Sequence, residues 1–422
     1  IYAPGSVAIR GNAIVAAGPT EAIDAAYTAH EIVDCADHVI MPGLINTHTH
    51  MPMSLLRGLA DDLRLDVWLY GYILPVEREF VNPEFCFLGT LLSCAEMLRG
   101  GTTCFADMYY HEEEIAWATV QAGLRGVCGE TIVKFPTPDA GSYEESLQYT
   151  DEFLSHWQGH DLIVAAPAPH SIYMCTPQIL QETTALARRY NVPQLIHVSE
   201  TADEVEQWIA ATAMRPVRWL EEQGALDSQV VAAHCVHVNS EEIRILREHN
   251  VGVAHNPTSN LKLASGIAPV AEMLEQHLAV GVGTDGCASN NDLDMFEELR
   301  LAALLPKGYT RSPVAVPAEE AVAMATIYGA RALHLDDLIG SLEPGKRADI
   351  IVVDLNSPRM QPVHRPMSAL VYNACGNDVD TVLVDGRVLM EGKRVLCLDE
   401  AALLDECRGA ARHLLRRAGV AA

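Results

Sequence analysis

The sequence is poor in positive charge and lacks long apolar runs. Its 422 residues include 29 Lys and Arg against 56 Asp and Glu, which gives a formal net charge of −27. Because nucleic acids and anionic membrane surfaces attract basic proteins, this charge argues against both as partners. No run of about 18 apolar residues is present, so no transmembrane helix is predicted.

Paired cysteines are also missing. The eleven cysteines show no Cys-x-x-Cys spacing, and apolar residues surround several of them, including Cys86, Cys94, Cys104 and Cys128. This pattern predicts reduced core thiols and a cytoplasmic location rather than a disulfide framework. No signal peptide is visible, and because the chain opens on Ile1 without a Met, a few natural residues are expected to precede it.

What the sequence does contain is a regular alternation of short apolar runs and helical patterns. Hydrophobic residues make up 49% of the chain, enough for a large core. Eight strands separated by helices predict a (β/α)₈ TIM barrel. A doubly wound open sheet is the alternative, but no Gly-rich phosphate turn follows an early strand. The eight strands are predicted at residues 44–50, 101–107, 126–133, 162–168, 194–198, 229–234, 251–255 and 278–284.

Both chain ends have β character instead. We expect them to form one small composite β-sandwich domain, residues 1–42 and 345–422, with the barrel domain, 43–344, inserted between them. The turn dipeptides Gly11-Asn12 and Asp385-Gly386 predict hairpins. Further strands are expected at residues 31–35 and 348–354, and an amphipathic helix at about 403–417.

Two histidines stand at the end of the first barrel strand. His48 and His50 have i, i+2 spacing, which places both rings on one face of a strand. Neutral imidazoles that converge in this way suit a divalent metal, most often zinc. A single such pair is also common in loops and in structural roles, so the interpretation depends on the other strands.

The other strands also end in ionisable residues. His197 lies on the fifth strand with Glu200 three residues later, His234 ends the sixth, and Asp285 follows the eighth. His170 follows the fourth strand. Because the carboxyl ends of barrel strands meet at one face, three histidines and an aspartate would complete a mononuclear zinc shell with room for water.

These motifs together resemble the amidohydrolase superfamily, in particular its deaminase and triazine-hydrolase branch. The segment 284–295 is similar to that of 5′-methylthioadenosine/S-adenosylhomocysteine deaminases. The resemblance covers nearly the whole chain. It rests on Gly43-Leu44-Ile45-Asn46-Thr47-His48-Thr49-His50, His197-Val198-Ser199-Glu200, Ala233-His234-Cys235, His255-Asn256-Pro257-Thr258-Ser259-Asn260 and Gly283-Thr284-Asp285-Gly286.

The resemblance implies a role for each matching residue. It implies the metal ligands His48, His50, His197 and Asp285, with Glu200, His234 and Asp285 as catalytic residues. Positions that bind substrate match Trp68, Glu77, His170, Glu200 and Ser289, and Glu77 is expected to hold ribose hydroxyls.

The implied reaction is hydrolytic deamination of an adenine nucleoside to its inosine analogue plus ammonia. Zinc lowers the pKa of bound water to about 7, which supplies hydroxide for attack on C6 of adenine. Glu200 would protonate the ring nitrogen, Asp285 would pass a proton to the leaving amine, and His234 would stabilise the tetrahedral intermediate.

Several points stay open at this stage. The fourth strand ends in Pro169-His170 rather than in a bridging lysine, which favours one zinc per subunit, although Fe²⁺ or Mn²⁺ suits a similar shell. Lys134 lacks the bidentate fork of an arginine, so methylthioadenosine or adenosine is expected to be preferred over S-adenosylhomocysteine. The family relationship also suggests a homodimer or homotetramer.

Two other classes of function remain as alternatives. One is a deaminase or chlorohydrolase that acts on guanine, a pterin or a triazine. The other is a non-catalytic binding protein with the same fold, although such a protein could lose metal ligands that are all retained here.

Overall fold

The computed structural model describes residues 1–417, and its strands fall into three sheets. In chain order the strands are β1 (Gly5–Arg10), β2 (Ala13–Pro19), β3 (His38–Pro42), β4 (Leu44–Thr49), β5 (Thr102–Tyr109), β6 (Arg125–Ile132), β7 (Ile163–Pro169), β8 (Pro193–Val198), β9 (Gln229–His234), β10 (Gly252–His255), β11 (Ala279–Val282), β12 (Ile350–Asp354), β13 (Val379–Val384), β14 (Arg387–Glu391) and β15 (Arg394–Val395).

Helices connect most of these strands. They are α1 (Thr20–Ala26), α2 (Leu65–Trp68), α3 (Leu74–Phe80), α4 (Pro83–Gly100), α5 (Glu112–Ala122), α6 (Tyr143–Trp157), α7 (Pro177–Tyr190), α8 (Ala202–Thr212), α9 (Pro216–Glu222), α10 (Ser240–Glu248), α11 (Pro257–Lys262), α12 (Val270–Glu275), α13 (Met295–Thr310), α14 (Ala318–Met324), α15 (Ile327–Ala332), α16 (Pro366–Tyr372) and α17 (Glu400–Arg417). Short 3₁₀ turns cover Met51–Leu56 and Gly376–Asp378, and a π-helical turn covers Leu69–Ile73.

The eight strands β4 to β11 form one parallel sheet, as the sequence predicts. Their order is β7-β6-β5-β4-β11-β10-β9-β8. The two outer strands meet through a parallel bridge between Ser171 and His197, which closes the sheet into a barrel. All eight residues of β5 and all eight of β6 are buried, because helices cover the outer face and side chains fill the centre.

Local sequence signals set the two ends of α4 and so the start of β5. The Asn82 side chain caps α4 by accepting a hydrogen bond from the Phe85 amide at 3.0 Å. Gly101 ends the same helix in a left-handed conformation with φ of 81°, and β5 starts at the next residue. A short, well-defined connection of this kind fixes where the strand enters the barrel.

The five-stranded antiparallel sheet takes its strands from both sides of the barrel. β3 precedes the barrel and pairs with β12, and β13, β14 and β15 follow in order. The β1–β2 hairpin forms a separate sheet that packs on this one through Ile14, Ala348 and Ile350. We propose that the two sheets form the layers of the expected small domain; its bounds, 1–42 and 345–422, stay a prediction.

The prediction of a strand at residues 31–35 is wrong. These residues are irregular, and the strand of this region is β3, seven residues later. The side chains of Ile32 and Val33 are 84% and 52% exposed, so the apolar alternation of this segment has no surface to pack on. A strand needs a pairing partner as well as a pattern, and β12 pairs with β3 instead.

A buried ion pair joins the barrel to the five-stranded sheet. Arg125, which begins β6, is 1% exposed and donates hydrogen bonds to both carboxylate oxygens of Asp349, at 2.8 and 3.2 Å. The Asp349 carboxylate also accepts the amide of Asp385 at 2.8 Å. The two charges are therefore neutralised within a region that excludes water.

The described residues show free thiols and no helix suited to crossing a bilayer. All eleven cysteines are unpaired, and most are buried. Within residues 1–417, no helix is both long enough and apolar enough to span a membrane.

Prediction: Asp349→Ala will lower the free energy of unfolding by roughly 3–5 kcal/mol, because it removes the bidentate partner of the buried guanidinium of Arg125 and leaves only the longer contact with Asp385, at 3.5 Å. Urea unfolding followed by circular dichroism measures the change. Asp405→Ala, which removes an exposed ion pair with Arg408, is the matched control and should leave stability unchanged. Equal loss in both variants would contradict the role given to the buried pair.

Candidate metal centre and active site

The centre of the site is formed by His48 in β4, His50 directly after β4, and Asp285. His48 and His50 place their Nε2 atoms 3.4 and 3.2 Å from Asp285 Oδ1. Asp285 follows β11, the neighbour of β4 in the barrel, so the adjacent strand ends bring the three side chains together. Their possible ligand atoms all lie within 4.8 Å of one another.

His197, from β8 across the barrel, completes the group of four predicted ligands. Its ring centre lies 4.9 Å from that of His48 and 5.6 Å from that of His50. His48, His197 and His234 also have possible ligand atoms within 4.8 Å of one another, so His48 belongs to both groups. The four predicted ligands therefore lie in two groups that share His48, one with His50 and Asp285 and the other with His197 and His234.

The hydrogen bonds of these imidazoles fit a bound divalent metal. His50 Nδ1 lies 2.6 Å from the carbonyl oxygen of Met108, and His197 Nδ1 lies 2.8 Å from that of His170. A carbonyl only accepts, so Nδ1 carries the proton and Nε2 is free to bind a metal. His48 Nε2 is buried and has no hydrogen-bond partner, as expected of a nitrogen that faces a metal ion.

The carboxylate of Asp285 is held in one orientation. Its Oδ2 accepts hydrogen bonds from Ser259 and Ser289, at 2.6 and 2.8 Å, which leaves Oδ1 toward the histidines. Burial alone would raise the pKa of Asp285, but the imidazoles of His48 and His50 beside the carboxylate outweigh it and keep the pKa well below its usual range. Asp285 is therefore ionised, the form that binds a cation.

The backbone near this carboxylate is crowded. Asp285 has a φ of 63°, in the left-handed region. A Cβ on Gly283 would lie 2.5 Å from Asn256 Oδ1 and 2.7 Å from the amide nitrogen of His48. Only glycine therefore allows the chain after β11 to approach β4 this closely.

Glu200 and His234 lie next to the metal ligands. Glu200 Oε2 is 3.7 Å from His234 Nε2, and both side chains are buried. Burial raises the pKa of Glu200, while the nearby His234 opposes this shift. A carboxyl of this kind can hold a proton closer to neutral pH than an exposed glutamate does.

A cavity opens onto these groups. Of the predicted substrate-binding residues, Trp68, Glu77, His170 and Glu200 line it. Burial raises the pKa of Glu77 to about 7, although a hydrogen bond with Tyr109 opposes the shift. Burial also lowers the pKa of His170 to about 3, so its ring is neutral.

Ser289 is placed differently from the sequence expectation. It is 1% exposed, and its hydroxyl donates to Asp285 Oδ2 rather than lining the cavity. It is therefore a partner of the carboxylate. His237 is half-buried, with Nε2 2.7 Å from the carbonyl oxygen of Ser265.

Sequence reasoning missed most of the cavity wall. Tyr109 ends β5, which runs two residues beyond the predicted strand end at Asp107, so the rule that strand ends carry the site could have found it. Most of the other residues lie on loops and short helices, where no strand pattern marks them. They include Leu65, Leu69, Ile73, Leu74, Tyr110, Tyr173 and Leu263.

A closed parallel barrel with three imidazoles and a carboxylate at one rim, beside a buried acid, defines a metal-dependent barrel hydrolase. The sequence pattern of the amidohydrolase family matches residues 39–389. This chain belongs to the amidohydrolase family.

Two curated relatives match almost the whole chain. A 5-methylthioadenosine/S-adenosylhomocysteine deaminase from Syntrophobacter fumaroxidans is 45% identical over 98% of this chain and 94% of its own. A 5′-deoxyadenosine deaminase from Methanothermobacter thermautotrophicus is 43% identical over 97% of this chain and 95% of its own.

Solved structures share the fold. An adenosine deaminase from Xanthomonas campestris with bound zinc superposes with a TM-score of 0.95 at 39% identity, covering 97% of this chain and 93% of that one. An atrazine chlorohydrolase from Arthrobacter aurescens superposes at 0.88 with 24% identity, over 96% and 94% of the two chains. The second likeness concerns the fold alone.

Prediction: His50→Ala will purify with far less zinc than the wild-type protein, because it removes one ligand from the proposed shell. His255→Ala is the matched control. His255 also ends a barrel strand and is 2% exposed, but it belongs to neither group of possible ligands. Metal content per chain is measured by plasma mass spectrometry, and full zinc occupancy in His50→Ala would remove this residue from the shell.

Proposed function

We propose that this chain is a metal-dependent aminohydrolase that converts an adenine nucleoside and water into the inosine analogue and ammonia. The observation that supports this most is the meeting of the metal-binding group with Glu200 and His234 on one cavity wall. The names of the close relatives specify adenine nucleosides.

The proposed cofactor is one zinc ion per subunit, held by His48, His50, His197 and Asp285. The nitrogen-rich donor set suits zinc, and the zinc-bound adenosine deaminase structure supports this choice, although Fe²⁺ or Mn²⁺ suits similar donors. When bound, zinc would lower the pKa of a coordinated water to about 7 and so supply the nucleophile.

The residues of the chain then move protons and stabilise charge. Glu200, with its raised pKa, protonates the ring nitrogen next to C6 as the water attacks. Asp285 accepts the proton of the attacking water and returns it to the leaving amine. His234 orients the nucleophile and stabilises the tetrahedral intermediate by accepting a hydrogen bond from its new hydroxyl group. The C6–N bond breaks and ammonia leaves, while the proton of the new hydroxyl group returns to Glu200 as the C6 carbonyl forms.

The cavity wall is suited to the rest of a nucleoside. Glu77 is proposed to accept hydrogen bonds from the ribose hydroxyls, Trp68 to pack on the substrate and His170 to contact the purine. Trp68 Nε1 is buried without a hydrogen-bond partner, so it has a free donor for a ligand.

The apolar part of the cavity wall favours a neutral 5′ substituent. Leu65, Leu69, Ile73 and Leu74 supply apolar surface, and no Lys or Arg is among the described residues that line the cavity. Lys134 is exposed and donates to the carbonyl oxygen of Tyr173 at 2.8 Å. A carboxylate on the 5′ chain of S-adenosylhomocysteine would therefore lack a cationic partner.

The compartment and the assembly are proposals too. Eleven free cysteines are consistent with a reducing cytoplasm. A homodimer or homotetramer stays a prediction from the family relationship.

Prediction: in a panel of nucleosides, 5′-methylthioadenosine, 5′-deoxyadenosine and adenosine will each show a higher kcat/KM than S-adenosylhomocysteine. The loss of adenine absorbance and the release of ammonia measure turnover. Guanine, a pterin and a triazine belong in the same panel. Faster turnover of one of them would contradict the adenine nucleoside assignment, and a preference for S-adenosylhomocysteine would contradict the argument from the 5′ wall.

Prediction: Glu200→Gln will keep its zinc but lose roughly 10²–10⁴-fold in kcat, because the amide cannot transfer a proton. Glu206→Gln, the same change on the exposed surface of α8, is the control and should match the wild type. Near-normal turnover of Glu200→Gln would exclude Glu200 as the proton donor.

A further inference from the structure

One short segment touches all three proposed catalytic residues. This supporting segment, residues 256–266, contains α11 and the turn that follows it. Ser259 donates to Asp285 Oδ2 at 2.6 Å, Asn260 Oδ1 lies 2.9 Å from His234 Nδ1, and Ser265 donates to Glu200 Oε1 at 3.3 Å. The three supporting side chains are at most 5% exposed.

The contact between Asn260 and His234 determines the tautomer of the imidazole. A carbonyl oxygen only accepts, so the ring proton is on Nδ1, and a neutral ring then carries its lone pair on Nε2. Nε2 is the atom nearest Glu200, at 3.7 Å. The side-chain nitrogen Nδ2 of Asn256 is farther from Nδ1 of His234, at 3.4 Å. It cannot donate a hydrogen bond to a ring nitrogen that already carries a proton.

The backbone of the segment links these contacts. The backbone carbonyl oxygen of Asn260 accepts a hydrogen bond from the backbone amide of Ser265 at 2.8 Å. Asn260, which contacts His234, therefore also holds Ser265, which contacts Glu200. At the start of α11, the amide of Thr258 donates to Glu298 Oε2 at 3.1 Å. Glu298 is fully buried and also accepts from the Asn290 amide at 2.6 Å, which anchors the segment to α13.

His234 needs such support because of its backbone. It ends β9 with a φ of 71°, and Cys235 follows with a φ of 49°. Left-handed conformations of this kind persist where surrounding contacts impose them. Without an acceptor at Asn260, both tautomers of the ring would be available.

We propose that three residues of the supporting segment position the catalytic residues: Asn260 fixes the tautomer of His234, Ser259 directs Asp285 and Ser265 holds Glu200. The effect of these three residues on turnover rests on the proposed deamination. The tautomer of His234 can be measured without any deamination, so the two proposals can fail separately.

The test compares two changes at Asn260 that keep its size. Asn260→Leu removes the acceptor, whereas Asn260→Asp keeps acceptor oxygens and has no donor when ionised. Leu261→Ala, at a 42% exposed position of the same helix, is the control. We expect Asn260→Leu to lose about 100-fold in kcat with little change in KM or zinc content, Asn260→Asp to recover most of this loss, and Leu261→Ala to match the wild type.

A second readout does not depend on activity. In zinc-loaded protein with ¹⁵N-labelled histidine, the ring signals of His234 are identified by their absence from His234→Gln. We expect Nδ1–H in the wild type and in Asn260→Asp, and a mixture of tautomers in Asn260→Leu. Wild-type kcat in Asn260→Leu, or an unchanged Nδ1–H signal there, would overturn the proposal.

Smaller changes cover the case in which Asn260→Leu does not fold. Ser259→Ala and Ser265→Ala each delete one hydroxyl, and each should lower kcat by about five- to tenfold at wild-type thermal stability. Wild-type kcat in both would also overturn the proposal. If the zinc-loaded wild type deaminates no adenine nucleoside, the proposed function fails, and the tautomer measurement still tests the role of Asn260.

Discussion

Four imidazoles and two carboxyl groups are crowded into the mouth of this barrel, and water reaches few of them. His48 lies in one close group with His50 and Asp285 and in another with His197 and His234, and Glu200 lies 3.7 Å from His234. Burial of ionisable groups is unfavourable unless they are paired, hydrogen-bonded or bound to a metal. The strand ends and the loops after them supply the partners that this cluster needs, and the proposed chemistry uses the same groups.

The surrounding structure leaves each group of the cluster a single orientation. The backbone carbonyls of Met108 and His170 accept hydrogen bonds from Nδ1 of His50 and of His197. Two serine hydroxyls donate hydrogen bonds to Asp285. These partners come from strand ends and loops distant in the sequence. A preorganised arrangement of this kind is the usual origin of electrostatic stabilisation in enzymes, because no group must reorient during the reaction.

Selectivity is built on different elements from reactivity. The segment from α2 to α3 supplies apolar residues of the cavity wall together with Trp68 and Glu77. Ion pairs join the region before this segment to the rest of the barrel mouth: Arg64 lies 2.6 Å from Asp203, and Asp61 lies 2.6 Å from Lys262. Because Lys262 belongs to α11, the region just before α2 is in direct contact with the supporting segment.

The sequence by itself determined the barrel strands, the hairpin turns and the strand ends where His48, His50, His197, His234 and Asp285 stand. These features are encoded locally, through apolar runs, turn dipeptides and the alternation of side chains along a strand. The family relationship rests on the same residues.

Only the tertiary structure decided which partner each group meets. Residues 31–35 have a strand pattern but no neighbour to pair with, Ser289 lies behind Asp285 rather than in the cavity, and Asn260 reaches His234 from another loop. Strand pairing, burial and side-chain hydrogen bonds join residues far apart in the chain. No local pattern encodes them, because they exist only once the core has formed and excluded water.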